Sequence, residues 1–212
     1  EYTALNNASP SLFRQNIRSI VLCMLGWFFF SITDAFTKVY TQEYSIIQLI
    51  AMSSIVGTVF SGGWILYRYG WRGFITPNWK LFALRGSMIL LGAYCVLKAL
   101  SMVSLSDYYG IVFMSPFIVT IMSAIFLKER IGIHRITALI VGFIGVLVLV
   151  GPHLESQFEG MAYAFTGMFF GCVSAVLIRK IGREKVTALF AFVPFFSNFL
   201  IYPALMIFTP GH

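Results

Sequence analysis

Two charged residues, Asp34 and Lys38, lie inside a long apolar segment of this sequence. Residues 28–44 read FFFSITDAFTKVYTQEY, so the charges follow a run of phenylalanines and precede a polar break. A charge near the middle of a helix in lipid costs roughly 2.5–3.5 kcal/mol even on the lenient insertion scales. The two residues are four apart and would share one face of a helix, with the acid N-terminal to the base. This spacing permits an ion pair.

The depth of each charge predicts how the fold accommodates it. Lys38 is about one turn from the C-terminal end of its helix, and its long side chain can carry the ammonium to the membrane interface. Asp34 is shorter and lies roughly nine residues, about 14 Å, from that end if the helix extends to Glu43. We therefore expect Asp34 to face the protein interior or a water-filled cavity, paired with Lys38 or with Lys98.

Patterns that carry catalysis or bind cofactors are absent from the sequence. It contains no GxSxG, HExxH or GxxxxGK motif, and its three histidines are isolated in predicted loops. Cysteines number three and lie in apolar segments, at Cys23, Cys95 and Cys172. An odd number without CxxC spacing argues against a disulfide framework and a structural zinc site. We predict no catalytic residue, no cofactor and no metal.

The composition identifies the class of protein. Of 212 residues, 58% are hydrophobic and 11% are charged, whereas a soluble domain carries about 25% charged residues. A chain this apolar could not cover a surface that faces water. We therefore identify it as an integral membrane protein. The net charge of +7 lies mostly in short loops between apolar segments. This distribution favours membrane topology over nucleic acid as its cause, and the lipid bilayer as the partner.

Seven segments are long and apolar enough to cross a membrane. They are residues 19–40, 44–67, 81–103, 108–127, 136–152, 160–178 and 186–209. A membrane-spanning helix needs about 20 apolar residues, and these segments are far longer than the roughly 10-residue alternating strands of a barrel. The sequence therefore predicts an all-α integral membrane protein with seven transmembrane helices, preceded by a cytoplasmic tail at residues 1–18.

Lysine and arginine predict the orientation of these helices. Of the 15 basic residues, 13 lie before the first segment, in alternate joints or, for Arg85, just inside the start of the third segment. The two exceptions are Lys38 and Lys98, and the other joints hold acidic residues and no lysine or arginine. Basic loops face the cytoplasm. We expect a multi-pass protein of the cell's inner membrane with a cytoplasmic N-terminus.

The chain contains a weak internal repeat. Residues 26–38, GWFFFSITDAFTK, resemble residues 167–179, GMFFGCVSAVLIR. The joint after the first segment has no basic residue, whereas the joint after the sixth has four, so equivalent positions face opposite sides. A duplicated unit of five helices must invert in this way because five is odd. Inverted repeats are typical of secondary transporters.

Residues 113–151, FMSPFIVTIMSAIFLKERIGIHRITALIVGFIGVLVLVG, resemble helices four and five of the EamA domain in the drug/metabolite transporter superfamily. The matching features are an early proline, a Glu-Arg pair and a glycine-rich helix five, here Pro116, Glu129, Arg130, Gly142 and Gly145. The resemblance implies two inverted five-helix repeats. Residues 19–152 would form the first, and 153–212 would begin the second with two helices of a truncated chain. Helix two departs from the family, since it reads QLIAMSS where a basic residue is common.

The resemblance implies a function and a set of alternatives. It implies a secondary transporter that moves a small metabolite or drug-like molecule by alternating access. One alternative is a non-transporting membrane subunit that keeps the fold as a scaffold within a larger complex; another is an enzyme embedded in the membrane, which the missing motifs disfavour. The identity of the substrate, the direction of transport, the coupling ion, and any protein partner or homodimer stay open.

The resemblance also places helices one, three and four around the substrate path. Aromatic side chains on these helices would supply the area of the cavity wall, namely Trp27, Tyr94, Tyr108, Tyr109 and Phe113. Pro116 would bend helix four beside the cavity, or be a packing kink. The charged candidates are Asp34, Lys38 and Lys98. Asp34 would contact substrate or couple protons, or else form a structural ion pair; Lys38 could equally anchor its helix at the interface.

Three local interpretations accompany these candidates. Ser104, Ser106 or Asp107 is expected to cap the fourth helix. Lys128, Glu129 and Arg130 are expected to form a charge cluster at a helix end. Four glycines are expected to let helices approach closely, at Gly142, Gly145, Gly167 and Gly171.

The first testable prediction is the topology itself. Single cysteines introduced into the loops at 68–80 and 179–185 should react with a membrane-impermeant maleimide from the same side of the membrane, because both loops are basic. Cysteines near Glu43 and Asp107 should react from the other side. Labelling of the two basic loops from opposite sides would overturn the predicted orientation.

Overall fold

The computed structural model describes residues 10–128, 132–150, 158–182 and 186–208, and eight α-helices lie within these ranges. They are α1 Pro10–Tyr40, α2 Ile46–Tyr69, α3 Trp79–Met102, α4 Leu105–Val112, α5 Ser115–Phe126, α6 Ile133–Val150, α7 Phe158–Ile181 and α8 Leu189–Phe208. A short 3₁₀-helix, Trp71–Phe74, precedes α3. Predictions on residues 1–9, on the Glu129–Arg130 pair and on residues 151–157 and 209–212 fall outside the described residues.

Six helical stretches are long and apolar enough to cross a membrane, and a seventh apolar stretch is shorter. The six are Ile17–Tyr40, Ile46–Tyr69, Trp79–Met102, Leu105–Phe126, Phe158–Ile181 and Leu189–Met206, and the seventh is Ile136–Gly145. These segments correspond to the seven predicted from the sequence. The prediction of an all-α, multi-pass membrane protein is confirmed. The first helix begins at Pro10 rather than at residue 19, and proline suits a first helical turn because its missing N–H is not needed there.

Local sequence signals define both ends of α2. The Ser45 hydroxyl accepts a hydrogen bond from the Gln48 amide, and the Gln48 side chain accepts one from the Ser45 amide, each at 3.3 Å. This reciprocal pair satisfies two amides that would otherwise lack partners at the start of the helix. The helix ends at Gly70, whose φ of 62° lies in the left-handed region that glycine adopts without steric cost.

The fourth span is broken into α4 and α5. Ser104 caps α4: its hydroxyl accepts from the Asp107 amide at 3.1 Å and donates to the Asp107 carboxylate at 2.6 Å. The helix stops at Val112, and α5 restarts at Ser115 with Pro116 in its first turn. The predicted cap is therefore confirmed at Ser104. The bend expected at Pro116 takes the stronger form of a helix break.

The helix α3 lies at the centre of the packing. It contacts α7 and α8, and α8 also packs along α2. One buried core joins α3, α4 and α7, with members Ala99, Leu100, Val103, Tyr108, Ile111, Met161, Ala164, Met168 and Cys172. By contrast, α1 leaves most of its apolar side chains exposed. In a membrane such exposed apolar surface faces lipid or further protein rather than water.

The four glycines that were expected at close helix contacts do not behave alike. A Cβ on Gly167 would lie 2.8 Å from Val96 Cγ2, so α7 approaches α3 closely at this point. A Cβ on Gly142 would make only an ordinary contact with Phe117. The prediction is wrong for Gly145 and Gly171, where no atom of another described helix lies within 4 Å of a Cβ.

The second prediction compares two of these glycines on α7. Replacing Gly167 with valine should destabilise the protein by about 1–3 kcal/mol, because the added methyl groups overlap Val96 and its backbone. Replacing Gly171 with valine is the matched control: it changes the same helix by the same side chain in open space. Thermal unfolding in detergent measures both. Equal loss of stability in the two variants would contradict the packing at Gly167.

Candidate functional site

One face of α1 meets the break between α4 and α5. Trp27, Ser31, Asp34 and Lys38 are spaced four, three and four residues apart, so they follow one side of the helix. The first two of these residues line a cavity of about 600 Å³ at the break. The other lining residues are Tyr109, Val112, Phe113, Ser115 and Pro116. The cavity wall is thus mainly aromatic and apolar, with three hydroxyl groups.

Asp34 lies just beyond this cavity and is buried, with 6% of its surface exposed. Its Oδ2 accepts a hydrogen bond of 2.9 Å from the hydroxyl of Tyr109, which itself lines the cavity. The expectation that Asp34 faces the protein interior is confirmed. The expected ion pair is wrong, since no described residue, Lys38 and Lys98 included, forms an ion pair with Asp34.

The contacts of Lys38 explain why it is not available to Asp34. Its Nζ donates to the carbonyl of Leu100 at 2.9 Å and to that of Val103 at 2.6 Å. These carbonyls lie at the C-terminal end of α3, where the helix offers them no amide partner. A cation also suits the negative end of the helix dipole. The ammonium therefore joins the end of α1 to the end of α3.

The remaining predicted residues lie elsewhere on α3 and α4. Tyr94 contacts Tyr163 of α7 edge to face at 6.5 Å between ring centroids, and Lys98 is half-buried on α3. Tyr108 is 4% exposed, within the core shared by α3, α4 and α7. Four predicted residues meet at the cavity: Trp27, Tyr109, Phe113 and Pro116. A role in binding for any of the nine residues stays a prediction.

Sequence reasoning missed Ser31 and Ser115, two hydroxyl groups of the cavity wall. A signal was present for Ser31, because it lies four residues after Trp27 and three before Asp34 on the same helix face. No comparable signal marked Ser115, since its place depends on where the fourth span breaks.

A second cavity of about 430 Å³ lies between α5 and α6. It shares Phe113 and Pro116 with the first, and its other lining residues are Phe117, Ala138, Leu139, Gly142 and Gly145. Both glycines line this apolar cavity, and at Gly145 the missing side chain leaves space rather than a close helix contact. Within the described ranges, no three side chains of His, Cys, Asp or Glu converge as metal ligands would.

Comparison with known proteins gives a consistent match. A model of the EamA-like transporter family matches residues 17–151. The chain is 28% identical to the pseudopaline exporter of Pseudomonas aeruginosa over 171 residues, which cover 79% of this chain and 59% of the exporter. It is 23% identical to the S-adenosylmethionine uptake transporter of Rickettsia bellii over 201 residues, covering 85% of this chain and 67% of that protein.

A third relative matches over a shorter stretch. This is the riboflavin transporter of Brucella anthropi, 28% identical over 92 residues, which cover 43% of this chain and 32% of that transporter. The chain spans 59% of the length of the pseudopaline exporter that it matches. No solved structure matches the chain.

Proposed function

This chain belongs to the EamA-like transporter family, and from that premise we propose that it carries a small molecule across the inner membrane by alternating access. The observation that carries the proposal is the cavity of about 600 Å³ at the break between α4 and α5. Transporters commonly bind their substrates where a membrane helix is interrupted. The aromatic wall would supply contact area, and the few hydroxyl groups would orient the bound molecule.

The second element of the proposal is the inverted repeat. Residues 19–152 would form the first five-helix unit and residues 153–212 would begin the second, with the N-terminus in the cytoplasm. In that scheme α2 and α8 are equivalent helices of the two units. They pack directly on each other, with Phe195 against Gly57 and Phe192 against Gly62, so they run antiparallel. Antiparallel pairing of equivalent helices supports a two-fold axis in the membrane plane.

The third element is a functional role for Asp34. Its carboxyl group is buried, its hydrogen-bond donor is the neutral Tyr109, and no described residue neutralises its charge. An isolated carboxylate in such surroundings is costly and binds a proton or another cation when one is available. We propose that Asp34 contacts the substrate or couples protons to its movement. The equivalent position in the second repeat is Ala175, so the inverted fold does not itself require an acid there.

Ligand-induced stabilisation of the purified full-length protein tests the proposed function. A panel of metabolites that includes S-adenosylmethionine and riboflavin is screened by thermal unfolding. A ligand at 100 times its Kd should stabilise the protein by about 2.7 kcal/mol through mass action. Trp27→Ala should remove most of the shift because Trp27 lines the cavity. Trp64→Ala is the control, since Trp64 is exposed on α2 and does not line the cavity.

Two outcomes would contradict this assignment. In the first, no compound of a broad panel stabilises the protein and none is taken up by proteoliposomes. In the second, a ligand stabilises the protein and Trp27→Ala keeps the full shift; the cavity would then be the wrong site even though the protein binds small molecules.

The substitution Asp34→Asn tests the role of the carboxylate. It keeps the shape of the side chain, and the amide oxygen can still accept the hydrogen bond from Tyr109, so the variant should fold. Transport of the ligand found in the screen should be lost, or should lose its dependence on pH. Glu43→Gln, at an exposed acid after α1, controls for the removal of a charge. Wild-type transport with an unchanged pH profile would rule out both functional roles of Asp34.

A further inference from the structure

Two backbone carbonyls of α8 lack the donor that a regular helix would supply. Pro194 and Pro203 both lie inside Leu189–Phe208. Proline has no amide hydrogen, so the carbonyl four residues earlier lacks its usual intrahelical donor. For Pro194 this is the carbonyl of Phe190. Phe190 lies in the first turn of α8, and its carbonyl still needs a donor, either from another helix or from water at the helix end.

The donor comes from a different helix. Arg85 of α3 directs Nη1 to the carbonyl oxygen of Phe190, and its guanidinium also lies 5.9 Å from the centroid of the Phe190 ring. Arg85 is buried, with 8% of its surface exposed, and its Nε is buried without a hydrogen-bond partner in the described part of the chain. A buried cation is thus committed to one carbonyl and one aromatic ring.

The residue that follows Arg85 provides the space for this contact. A Cβ on Gly86 would overlap the hydroxyl of Ser197 and lie 3.5 Å from Val193 Cγ1. The absence of a side chain therefore lets α8 lie directly against α3. On the same stretch, Phe82 of α3 and Leu189 of α8 belong to one buried cluster. Close approach and the donated hydrogen bond occur together within the first turns of α8.

We propose that Arg85 is a positioning residue that replaces the backbone donor missing at Pro194 and thereby fixes α8 against α3. If the inverted repeats of the proposed function are correct, this bond joins the first repeat to the second. Arg85 does not line the cavity, so it acts on the relative placement of the two units and not on the bound molecule. The bond between Arg85 and Phe190 holds the two helices together whether or not the protein transports a molecule.

A double-mutant cycle in the full chain tests the link between the two residues. Arg85→Met removes the donor and should lower the thermal midpoint markedly. Pro194→Ala restores an amide for the Phe190 carbonyl. In that background Arg85→Met should lower the thermal midpoint by at most half as much as it does in the wild-type protein. Arg85→Lys keeps a donor and should retain most of the wild-type midpoint.

The second proline of α8 provides a matched control. Pro203→Ala restores the amide that faces the carbonyl of Phe199, about two and a half turns from the contact of Arg85, so the loss of thermal midpoint from Arg85→Met should be unchanged there. Equal losses in the wild-type, Pro194→Ala and Pro203→Ala backgrounds would overturn the inference. If Arg85→Met alone does not fold, recovery of folded protein with Pro194→Ala but not with Pro203→Ala supports it, and recovery with both or neither overturns it.

A distance measurement between α3 and α8 tests the positioning role separately from the overall stability of the protein. Spin labels at Leu84 of α3 and Leu200 of α8, both exposed, would be introduced after alanine replaces the three native cysteines. The distance distribution should broaden with Arg85→Met at a temperature where the protein stays folded, and narrow again when Pro194→Ala is added. An unchanged distribution would overturn the positioning role. A positive ligand screen beside that result would leave the proposed function standing.

Discussion

The structure depends on one constraint of the bilayer: every backbone polar group inside it needs a partner within the protein. Two basic side chains in the spans donate hydrogen bonds to backbone carbonyls, and a third donates to a buried hydroxyl group. Lys38 donates to the two carbonyls that end α3, and Arg85 donates to the carbonyl of Phe190. Arg179 of α7 donates to the buried hydroxyl of Ser123 on α5 at 3.0 Å. Each bond joins two helices, so satisfying a polar group also fixes a contact of the fold.

The position of the cavity follows from the same constraint. A break in a spanning helix leaves amides and carbonyls without partners, and the sequence reduces their number at this point. Pro116 brings no amide to the first turn of α5, so one donor fewer needs a partner there. Lys38 is occupied at the end of α3, so Asp34 takes its hydrogen bond from Tyr109 on the wall of the cavity. The helix break and the buried acid therefore meet at one site.

The sequence was sufficient for features that depend on local composition. Apolar length identified the seven segments, the SLSD stretch indicated the cap at Ser104, and depth along α1 indicated that Asp34 is buried. It was insufficient where a side chain chooses between distant partners. Lys38 has a carboxylate four residues away, yet it binds carbonyls 62 and 65 residues away. That choice depends on α1 and α3 ending side by side, which no local pattern records.

Both cations at the ends of α3 bind backbone carbonyls rather than carboxylates, and this affects how α3 is held. Near its start, Arg85 of α3 donates to a carbonyl of α8. At its end, Lys38 of α1 donates to a carbonyl of α3. Breaking a buried ion pair leaves two charges uncompensated, and loss of one partner from such a pair typically costs about 3–5 kcal/mol. Breaking a bond between a cation and a carbonyl leaves one charge and one dipole instead of two charges. Within the described residues, contacts of this kind hold the two ends of α3 without burying an acidic partner for either cation.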